Sequence, residues 1–235
     1  MIYSAILAGG TGSRMKSTTP KQFLEIGGKP ILVHTVDRFL QSEVDRIFIG
    51  VHRDWIDYAQ NLINKYFDGA KKPIYIVEGG FDRLSTVTNI MEAIEKANDI
   101  CEGDIIATHD SVRPFVTVDM INLSIQKARE VGACNTVTAA TDTVVVSKDG
   151  QNVYEMPDRK EIYLGQCPQT FDFLKLKELI GDLSEDERAT LTDVCKLFVL
   201  KNKPVALISG DASNFKITTM GDYDIAAAMA EKYLG

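Results

Sequence analysis

An apolar strand that runs into a glycine-rich turn and then into a group of cations constrains this chain more than any other feature. Residues 2–7 suit a buried strand, three glycines fall within residues 9–12, and Arg14, Lys16 and Lys21 follow. Glycines let the backbone turn sharply and expose consecutive N–H groups, which form a concave anion-binding surface. The chain as a whole is acidic, with a net charge of −7. The positive charge is therefore local, and we expect a phosphate-binding loop directly after the first strand.

Two better-known phosphate-binding loops do not fit. The Walker A pattern G-x-x-x-x-G-K-[ST] has no match in the sequence. The dinucleotide pattern G-x-G-x-x-G can begin at Gly10, but Met15 stands where its last glycine belongs. The second predicted strand, 46–51, runs into His52, whereas a NAD-binding fold has an acidic residue there for the ribose. A P-loop enzyme and a NAD-dependent enzyme are both disfavoured.

Length and composition bound the class of protein. With 235 residues, of which 45% are hydrophobic, the chain can bury one substantial core. No apolar run approaches the roughly 18 residues of a membrane span, and the first residues lead directly into a strand without the features of a signal peptide. We therefore expect a cytoplasmic protein with no membrane partner. Its acidic balance also disfavours nucleic acid as a partner.

The cysteines and histidines form no metal or disulfide pattern. The four cysteines, at positions 101, 134, 167 and 195, contain no C-x-x-C pair. We expect them to be small buried hydrophobic residues in a reducing compartment. The three histidines, His34, His52 and His109, are too few for a histidine-rich metal centre.

Short β-like runs alternate with helical periodicity through the first two-thirds of the chain. Trp55, Ala59, Leu62 and Tyr66, for example, recur at intervals of three and four residues, which indicates one buried helical face. Such alternation predicts an α/β fold with a Rossmann-like, mostly parallel sheet, helices on both faces, and ligands at the carboxyl ends of the strands. The predicted strands are 2–7, 46–51, 74–77, 104–108 and 135–140, and the predicted helices lie near 30–39, 54–67, 85–97 and 118–131.

Residues 141–168 interrupt this alternation. Two short predicted strands, 143–147 and 152–156, flank a turn at Lys148-Asp149-Gly150, which predicts a β-hairpin. A hairpin inserted in a parallel α/β domain has little to pack on, so we expect a protruding arm. After it we predict helices at 173–180 and 186–200, a strand at 205–208 and a closing helix from about Asp222. We therefore expect one domain, 1–235, with an arm at about 141–168.

Two further segments follow predicted strands and are expected at the same edge of the sheet. Residues 79–87 combine glycines with hydroxyl side chains at a helix N-terminus, which suits a polar ligand. Residues 109–115 place Asp110 at the carboxyl end of a strand, where a carboxylate beside phosphates suits a hard cation. A metal phosphohydrolase with this His-Asp pair would need several more histidines than the chain has. Asp110 is our main candidate for a metal ligand.

These motifs resemble those of the sugar-phosphate nucleotidyltransferases and, among them, the cytidylyltransferases. Residues 7–15, LAGGTGSRM, and 20–23, PKQF, match the signature of that family, and 109–114 resembles its H-D-x-x-R-P loop. Phe81 is a departure, since the family more often has an acidic or small residue there. The resemblance covers essentially the whole chain. It implies CTP as a substrate, Mg²⁺ as the metal, and a homodimer built through the arm.

The resemblance also implies roles for individual residues. Arg14 and Lys21 would stabilise charge at the α-phosphate and the leaving group, while Arg159, across the dimer, and Lys216 would hold the phosphate of the second substrate. Asp110 would lie near the magnesium ion and the ribose. The other candidates for nucleotide binding are Leu7, Ala8, Gly9, Gly10, Gly80, Arg83, Thr86, Ser111 and Arg113.

The reaction implied by the resemblance is mainly an electrostatic problem. CTP carries about four negative charges and a sugar phosphate nearly two, and two like charges about 4 Å apart repel by roughly 4 kcal/mol at an effective dielectric constant of about 20. The attacking phosphate is already largely ionised at neutral pH, because its second pKa is about 6. Positioned cations are therefore required for attack on the α-phosphorus and loss of pyrophosphate, and a general base is not.

The acceptor and the class of function have alternatives. One branch of the family makes CDP-ribitol from ribitol 5-phosphate for teichoic-acid or capsule synthesis, and another acts on 2-C-methyl-D-erythritol 4-phosphate in isoprenoid synthesis. Residues 50–55, 109–115, 191–196 and 216–219 are more similar to the ribitol branch. Pyrophosphorylases that use UTP or GTP share the first loop but usually lack the second loop and the arm. A non-catalytic nucleotide sensor would need only the binding loops.

Overall fold

The computed structural model describes residues 1–10, 19–191 and 193–234. Among these residues the chain forms nine β-strands. They are β1 (Ile2–Ala8), β2 (Glu25–Ile26), β3 (Lys29–Pro30), β4 (Arg46–Val51), β5 (Ile74–Glu78), β6 (Ile105–Asp110), β7 (Ala133–Ala139), β8 (Tyr163–Asp172) and β9 (Ala206–Ser209).

The helices follow the strands in the alternating order that the sequence predicts. The α-helices of the described residues are α1 (Ile31–Gln41), α2 (Ile56–Phe67), α3 (Arg83–Ala97), α4 (Val118–Val131), α5 (Phe173–Gly181), α6 (Glu185–Thr190), α7 (Val194–Leu200) and α8 (Met220–Tyr233). Short 3-10 turns cover Lys21–Phe23, Arg53–Trp55 and Arg159–Glu161.

Seven of the strands form one sheet in the order β5-β4-β1-β6-β8-β7-β9. The four strands β5, β4, β1 and β6 are parallel, and β7 pairs with β9 in parallel. Only β8, among the described strands of this sheet, runs antiparallel to its neighbours. The predicted α/β class with a mostly parallel sheet is confirmed.

Alternate side chains of the central strands enter two hydrophobic layers, one on each face of the sheet. From β1, Ile6 packs into the layer formed with α1, α2 and α4, whereas Tyr3 and Ala5 pack into the layer formed with α3, α5 and α7. The Tyr3 ring also contacts Phe48 and Phe173 edge-on, with centroid distances of 6.3 and 6.0 Å. Because both faces of the sheet carry apolar residues, helices must cover both, as predicted.

The carboxyl ends of β1, β5 and β6 meet at one edge of the sheet. Leu7 lies opposite Asp110 in the register of β1 with β6, and the Ser111 N–H donates to the Leu7 carbonyl at 3.1 Å. Next to β5, the Gly79 N–H donates to the Val51 carbonyl at 2.8 Å. The three loops that follow these strands therefore start side by side, which is what the parallel arrangement predicts.

A third apolar cluster brings a distant segment to this edge. Ile217 is fully buried beside Ile26 and Val112, and α8 covers the same cluster with Ala226 and Ala230. The Ile217 N–H also donates to the Val112 carbonyl at 3.0 Å. Burial of Ile217 thus fixes the position of its neighbour, Lys216.

Strand β8 differs from the sequence-based prediction. Residues 163–168 are predicted as part of the arm, but they belong to the ten-residue strand Tyr163–Asp172 inside the sheet. Pro168 and its polar neighbours hide this strand in the sequence, since proline cannot donate to a β-ladder. The register of β7 with β8 shifts between Asn135 and Val137, and the Thr136 hydroxyl donates to the Pro168 carbonyl at 2.7 Å. This bulge accommodates the proline within the sheet.

The predicted hairpin is also less regular than expected. Val146 and Glu155 form one isolated antiparallel bridge, and the Asp149 carboxylate closes the turn by accepting from the N–H groups of Gln151 and Asn152 at 2.9 Å. Almost all residues between 141 and 161 are exposed. A two-stranded ribbon with no covering layer has little to stabilise longer strands.

The predicted helix 186–200 is two helices, α6 and α7. Asp193 adopts an extended backbone and caps α7 by accepting from the Lys196 N–H at 3.1 Å. A residue in this capping role begins a new helix and cannot continue the previous one. The helical periodicity on both sides does not reveal this break.

The expectation for the cysteines is met only in part. Cys134, Cys167 and Cys195 are buried and unpaired, as expected, but Cys101 is exposed, so that part of the prediction is wrong. Within the described parts of the chain, no helix is long and apolar enough to cross a membrane.

Gly50→Ala tests the close packing of α3 on β4. A β-carbon at Gly50 would lie 2.6 Å from Thr86 Cγ2 and 3.0 Å from Ile90 Cδ1, so these side chains or α3 would have to shift. We expect the free energy of unfolding in urea to fall by about 1–3 kcal/mol. Gly181→Ala is the matched control, because a β-carbon there meets no atom within 4 Å. Equal stability of the two variants would contradict this account of the packing.

Candidate functional site

A cavity of about 380 Å³ opens at the edge of the sheet where the loops converge. Most of the residues predicted from the sequence line it: Leu7, Gly9, Gly10, Lys21, Gly80, Arg83, Thr86, Asp110, Ser111 and Lys216. Gln22, Phe81, Asp82, Val112 and Thr218 complete the lining. The fold therefore brings segments that are up to about two hundred residues apart in the sequence around one space.

Asp110, the last residue of β6, is the electrostatic centre of this cavity. One carboxylate oxygen accepts a hydrogen bond from the Arg83 guanidinium, and the other lies 3.1 Å from Lys216 Nζ and 3.4 Å from Arg113 Nε. The carboxylate is buried, and each cation comes from a different loop or helix. One negative charge thus holds three positive charges next to the cavity.

The ionisation of this cluster follows from its contacts. Burial alone would raise the pKa of Asp110, but Arg83, Lys216 and Arg113 outweigh it and hold that pKa well below its usual value. Burial also acts to lower the pKa of Arg83, and the charge of Asp110 overcomes this and raises it. Asp110 and Arg83 therefore stay charged at neutral pH, and the carboxylate cannot act as a general acid there.

Two neighbours of Asp110 have structural roles. The Arg113 guanidinium also donates to the Asn214 carbonyl at 2.7 Å, which ties the loop after β6 to the segment before Lys216. His109 is fully buried, and burial lowers its pKa to about 4 despite the hydrogen bond between its Nε2 and the Arg113 carbonyl. His109 is therefore neutral at pH 7 and does not add to the charge of the cavity.

The glycine segment after β1 is fixed by a residue that the sequence analysis does not single out. Gln22 is buried, and its Nε2 donates to the Ala8 carbonyl at 2.7 Å and to the Gly10 carbonyl at 3.1 Å. These bonds orient the backbone between Ala8 and Gly10 and engage two carbonyl oxygens that would repel an anion. The signal for Gln22 was its place in the PKQF motif, directly after Lys21.

Lys21 and Lys216 belong to one side of the cavity. The Lys21 ammonium donates to the Ile217 carbonyl at 2.9 Å, so the turn after Pro20 is joined to the segment that carries Lys216. Both lysines line the cavity. The structure therefore brings Lys21 and Lys216 together.

The loop after β5 forms the other side. The Gly80 N–H donates to the Thr86 hydroxyl at 3.1 Å, and Thr86 Oγ1 would lie 3.6 Å from a β-carbon placed on Gly9. Asp82 begins α3 with a capping box, in which its carboxylate accepts from the Ser85 N–H at 2.7 Å. The two glycine segments thus approach each other closely at the first turn of α3.

Some of the predicted residues are not brought into this cavity. Ala8 is buried and takes part through its carbonyl, and Arg113 acts on Asp110 without lining the cavity. Arg159 is exposed on the arm, where it donates to the Thr141 carbonyl at 3.0 Å. Arg14 falls in segment 11–18, outside the described residues.

The described residues include no cluster of three or more His, Cys, Asp and Glu side chains that could hold a metal ion. The protein does not, in this part of the chain, supply a complete set of metal ligands. The cavity lining combines cations and glycine backbone with the carboxylates of Asp110 and Asp82, and the cations and backbone amides suit phosphate groups.

Comparison with known proteins decides the family. The family model described as "IspD: 2-C-methyl-D-erythritol 4-phosphate cytidylyltransferase" matches residues 2–232. The chain belongs to this cytidylyltransferase family. The chain is therefore a CTP-dependent nucleotidyltransferase, and the alternative of a non-catalytic nucleotide sensor has no support.

Curated relatives and solved structures agree with this assignment. The chain is 49% identical over 234 residues to "Ribitol-5-phosphate cytidylyltransferase" of Streptococcus pneumoniae serotype 2, which covers 99% of this chain and 100% of that protein. A 4-diphosphocytidyl-2C-methyl-D-erythritol synthase from Anaerococcus prevotii has a TM-score of 0.81 at 28% identity and 99% coverage of both chains. A 2-C-methyl-D-erythritol 4-phosphate cytidylyltransferase from Thermus thermophilus has a TM-score of 0.72 at 26% identity, covering 98% of this chain and 100% of that one.

Proposed function

We propose that this enzyme transfers the cytidylyl group of CTP to D-ribitol 5-phosphate, giving CDP-ribitol and pyrophosphate. The observation that carries the reaction type is the convergence of Lys21, Lys216 and the Asp110-held Arg83 on one cavity beside the glycine segment. The choice of acceptor is supported by the 49% identity, over nearly the whole chain, to relatives described as ribitol-5-phosphate cytidylyltransferases. We further propose that the product serves teichoic-acid or capsule synthesis in the cytoplasm.

In the proposed reaction, an oxygen of the acceptor phosphate attacks the α-phosphorus of CTP, the α–β bridging bond breaks, and pyrophosphate leaves with that electron pair. The attacking oxygen needs no deprotonation by the enzyme, since the phosphate is already ionised. Lys21 and Arg14 would stabilise charge on the α-phosphate and the leaving group, and Lys216 would hold the acceptor phosphate. Catalysis then consists of alignment and electrostatic stabilisation.

Transfer to 2-C-methyl-D-erythritol 4-phosphate is the second candidate. It is favoured by the description of the matching family model and by the names of the similar solved structures. Those structures are 26–28% identical to the chain, well below the identity of the ribitol-named relatives. The acceptor phosphate would use the same cations in both reactions, so only the assay described below distinguishes them.

Mg²⁺ fits this site as a partner of the nucleotide. Magnesium is usually bound by one or two carboxylates together with substrate phosphates, and Asp110 is an ionised carboxylate on the cavity wall. We propose Asp110 as the residue that would hold the ion. When bound, Mg²⁺ would supply charge neutralisation for the triphosphate.

We also propose that the enzyme is a homodimer in which the arm of each subunit completes the site of the other. Several apolar side chains are exposed along the arm and the start of β8: Val145, Val146, Val153, Tyr154, Met156, Tyr163 and Leu164. Exposed apolar groups that are concentrated in one segment are typical of an interface. Arg159 lies in the same segment and does not line the cavity of its own subunit, which supports a role across the dimer.

Pyrophosphate release with CTP and each acceptor supplied separately tests the proposed function. We expect release with ribitol 5-phosphate and little with 2-C-methyl-D-erythritol 4-phosphate. Lys21→Ala should lower kcat by about 100-fold or more, because a preorganised donor to the transition state is lost. Lys127→Ala is the control, since Lys127 pairs with Glu130 on the exposed face of α4. Release with the methylerythritol compound alone would overturn the acceptor assignment.

Mixing two inactive variants tests the role of Arg159. Co-expressed Arg159→Ala and Lys21→Ala chains should form heterodimers in which one of the two sites has both residues intact. Statistical assembly of a twofold dimer then restores about a quarter of wild-type turnover. The same variants purified and assayed without exchange serve as the control. No recovery in a verified heterodimer would show that Arg159 does not act across the interface.

A further inference from the structure

Phe81 is the most exposed large apolar side chain in the described part of the protein. Its side chain is 93% exposed, compared with 62% for Tyr154 and Val199, the next highest values. Leaving an aromatic ring in water forfeits the free energy that its burial would supply. Unlike Tyr154 and Val199, Phe81 lines the active-site cavity. An exposed ring at this position is therefore available to a ligand.

The backbone that carries this ring is fixed on both sides. The Gly80 N–H donates a hydrogen bond to the Thr86 hydroxyl, and a β-carbon at Gly80 would overlap Ser85. On the other side, the Asp82 N–H donates to the Ser85 hydroxyl at 3.0 Å within the capping box of α3. The ring of Phe81 is thus presented from a short, anchored loop and not from a loosely held one.

The lining of the cavity is chemically divided. The cations Lys21 and Lys216 are joined through the segment 216–217, and they form the side that suits phosphates. Gly9, Gly80 and Thr86 lie together on the other side and contribute no charged side chain. Phe81 belongs to this side through its neighbour Gly80. The charged residues that follow it are engaged within the protein, Asp82 with Ser85 and Arg83 with Asp110. A nucleotide has the same division, with phosphates at one end and a flat aromatic base at the other.

We propose that Phe81 stacks on the cytosine ring of bound CTP and forms one wall of the base site. This inference rests on the use of CTP in the proposed function and adds an affinity-determining residue to it. Stacking of an aromatic side chain on a base is worth about 1–3 kcal/mol and depends little on which base is bound. Phe81 therefore strengthens nucleotide binding and leaves the choice of base to polar groups of the loop.

Calorimetric binding of CTP and of pyrophosphate, in the absence of acceptor, separates this role from a structural one. In Phe81→Ala, the dissociation constant of CTP should rise about 5- to 150-fold, the equivalent of the lost stacking. That of pyrophosphate should not change, because pyrophosphate carries no base. Phe81→Trp should retain CTP affinity, and CTP should change the fluorescence of the new tryptophan more than it changes that of Trp55 in the wild type. Val199→Ala, at an equally apolar exposed position on α7, is the control.

Each outcome distinguishes this inference from the proposed function. Unchanged CTP affinity in Phe81→Ala overturns the stacking role, even if the wild type makes CDP-ribitol. An equal loss of CTP and pyrophosphate binding also overturns it, since it means that the loop has moved. Selective loss of CTP affinity, with kcat at saturating CTP close to that of the wild type, supports the stacking role. An unchanged kcat means that Phe81 binds the ground state and the transition state equally well. That result would stand even if the acceptor were not ribitol 5-phosphate.

Discussion

The buried carboxylate of Asp110 contacts the guanidinium groups of Arg83 and Arg113 and the ammonium group of Lys216, and the rest of the site depends on these contacts. Without a negative partner, three cations at such short range would repel one another, and this repulsion would destabilise the fold. The charge of Asp110 offsets this repulsion, and the three cations in turn keep its pKa far below the usual value. Removing one member of a buried ionic group typically costs about 3–5 kcal/mol, since the others are left uncompensated.

The fold supplies the positions that this cluster needs. Asp110 ends β6 beside Leu7 of β1, Arg83 begins α3, and Lys216 precedes the buried Ile217. Each charged group is thus attached to a well-packed element, so it loses little entropy when a substrate binds. Electrostatic stabilisation is effective when the charges are held in advance in this way, because they need not reorganise during the reaction.

The sequence predicts the parts of this structure that depend on local patterns. Alternating β-like and helical segments predict the parallel sheet, and the glycine segment, the loop at Gly80 and the loop at Asp110 are all found at its carboxyl edge. Strand β8 could not be recognised, because its antiparallel partners and the bulge around Pro168 are long-range features. The break at Asp193 was hidden for a different reason, since a capping carboxylate within a periodic segment looks like an exposed helical residue.

Which residues belong to the site is easier to predict from the sequence than what each of them does there. Arg113 is predicted to contact the nucleotide. In the structure its guanidinium contacts the Asp110 carboxylate and the Asn214 carbonyl. Only the direction of the side chain separates these two roles. Gln22 binds two carbonyls of the glycine segment, and no pattern of residue types separates such a bond from ordinary burial. Sequence patterns identify the residues that converge, and tertiary geometry decides which of them face the ligand.

The role of the Asp110 charge can be measured as the turnover number of Asp110→Asn at saturating CTP and acceptor, on protein shown to be folded by circular dichroism. The substitution keeps the size of the side chain and removes the charge that positions the cations. We expect kcat to fall by about 100-fold or more, because the cations lose the charge that positions them. A folded variant whose kcat stays close to that of the wild type would contradict it.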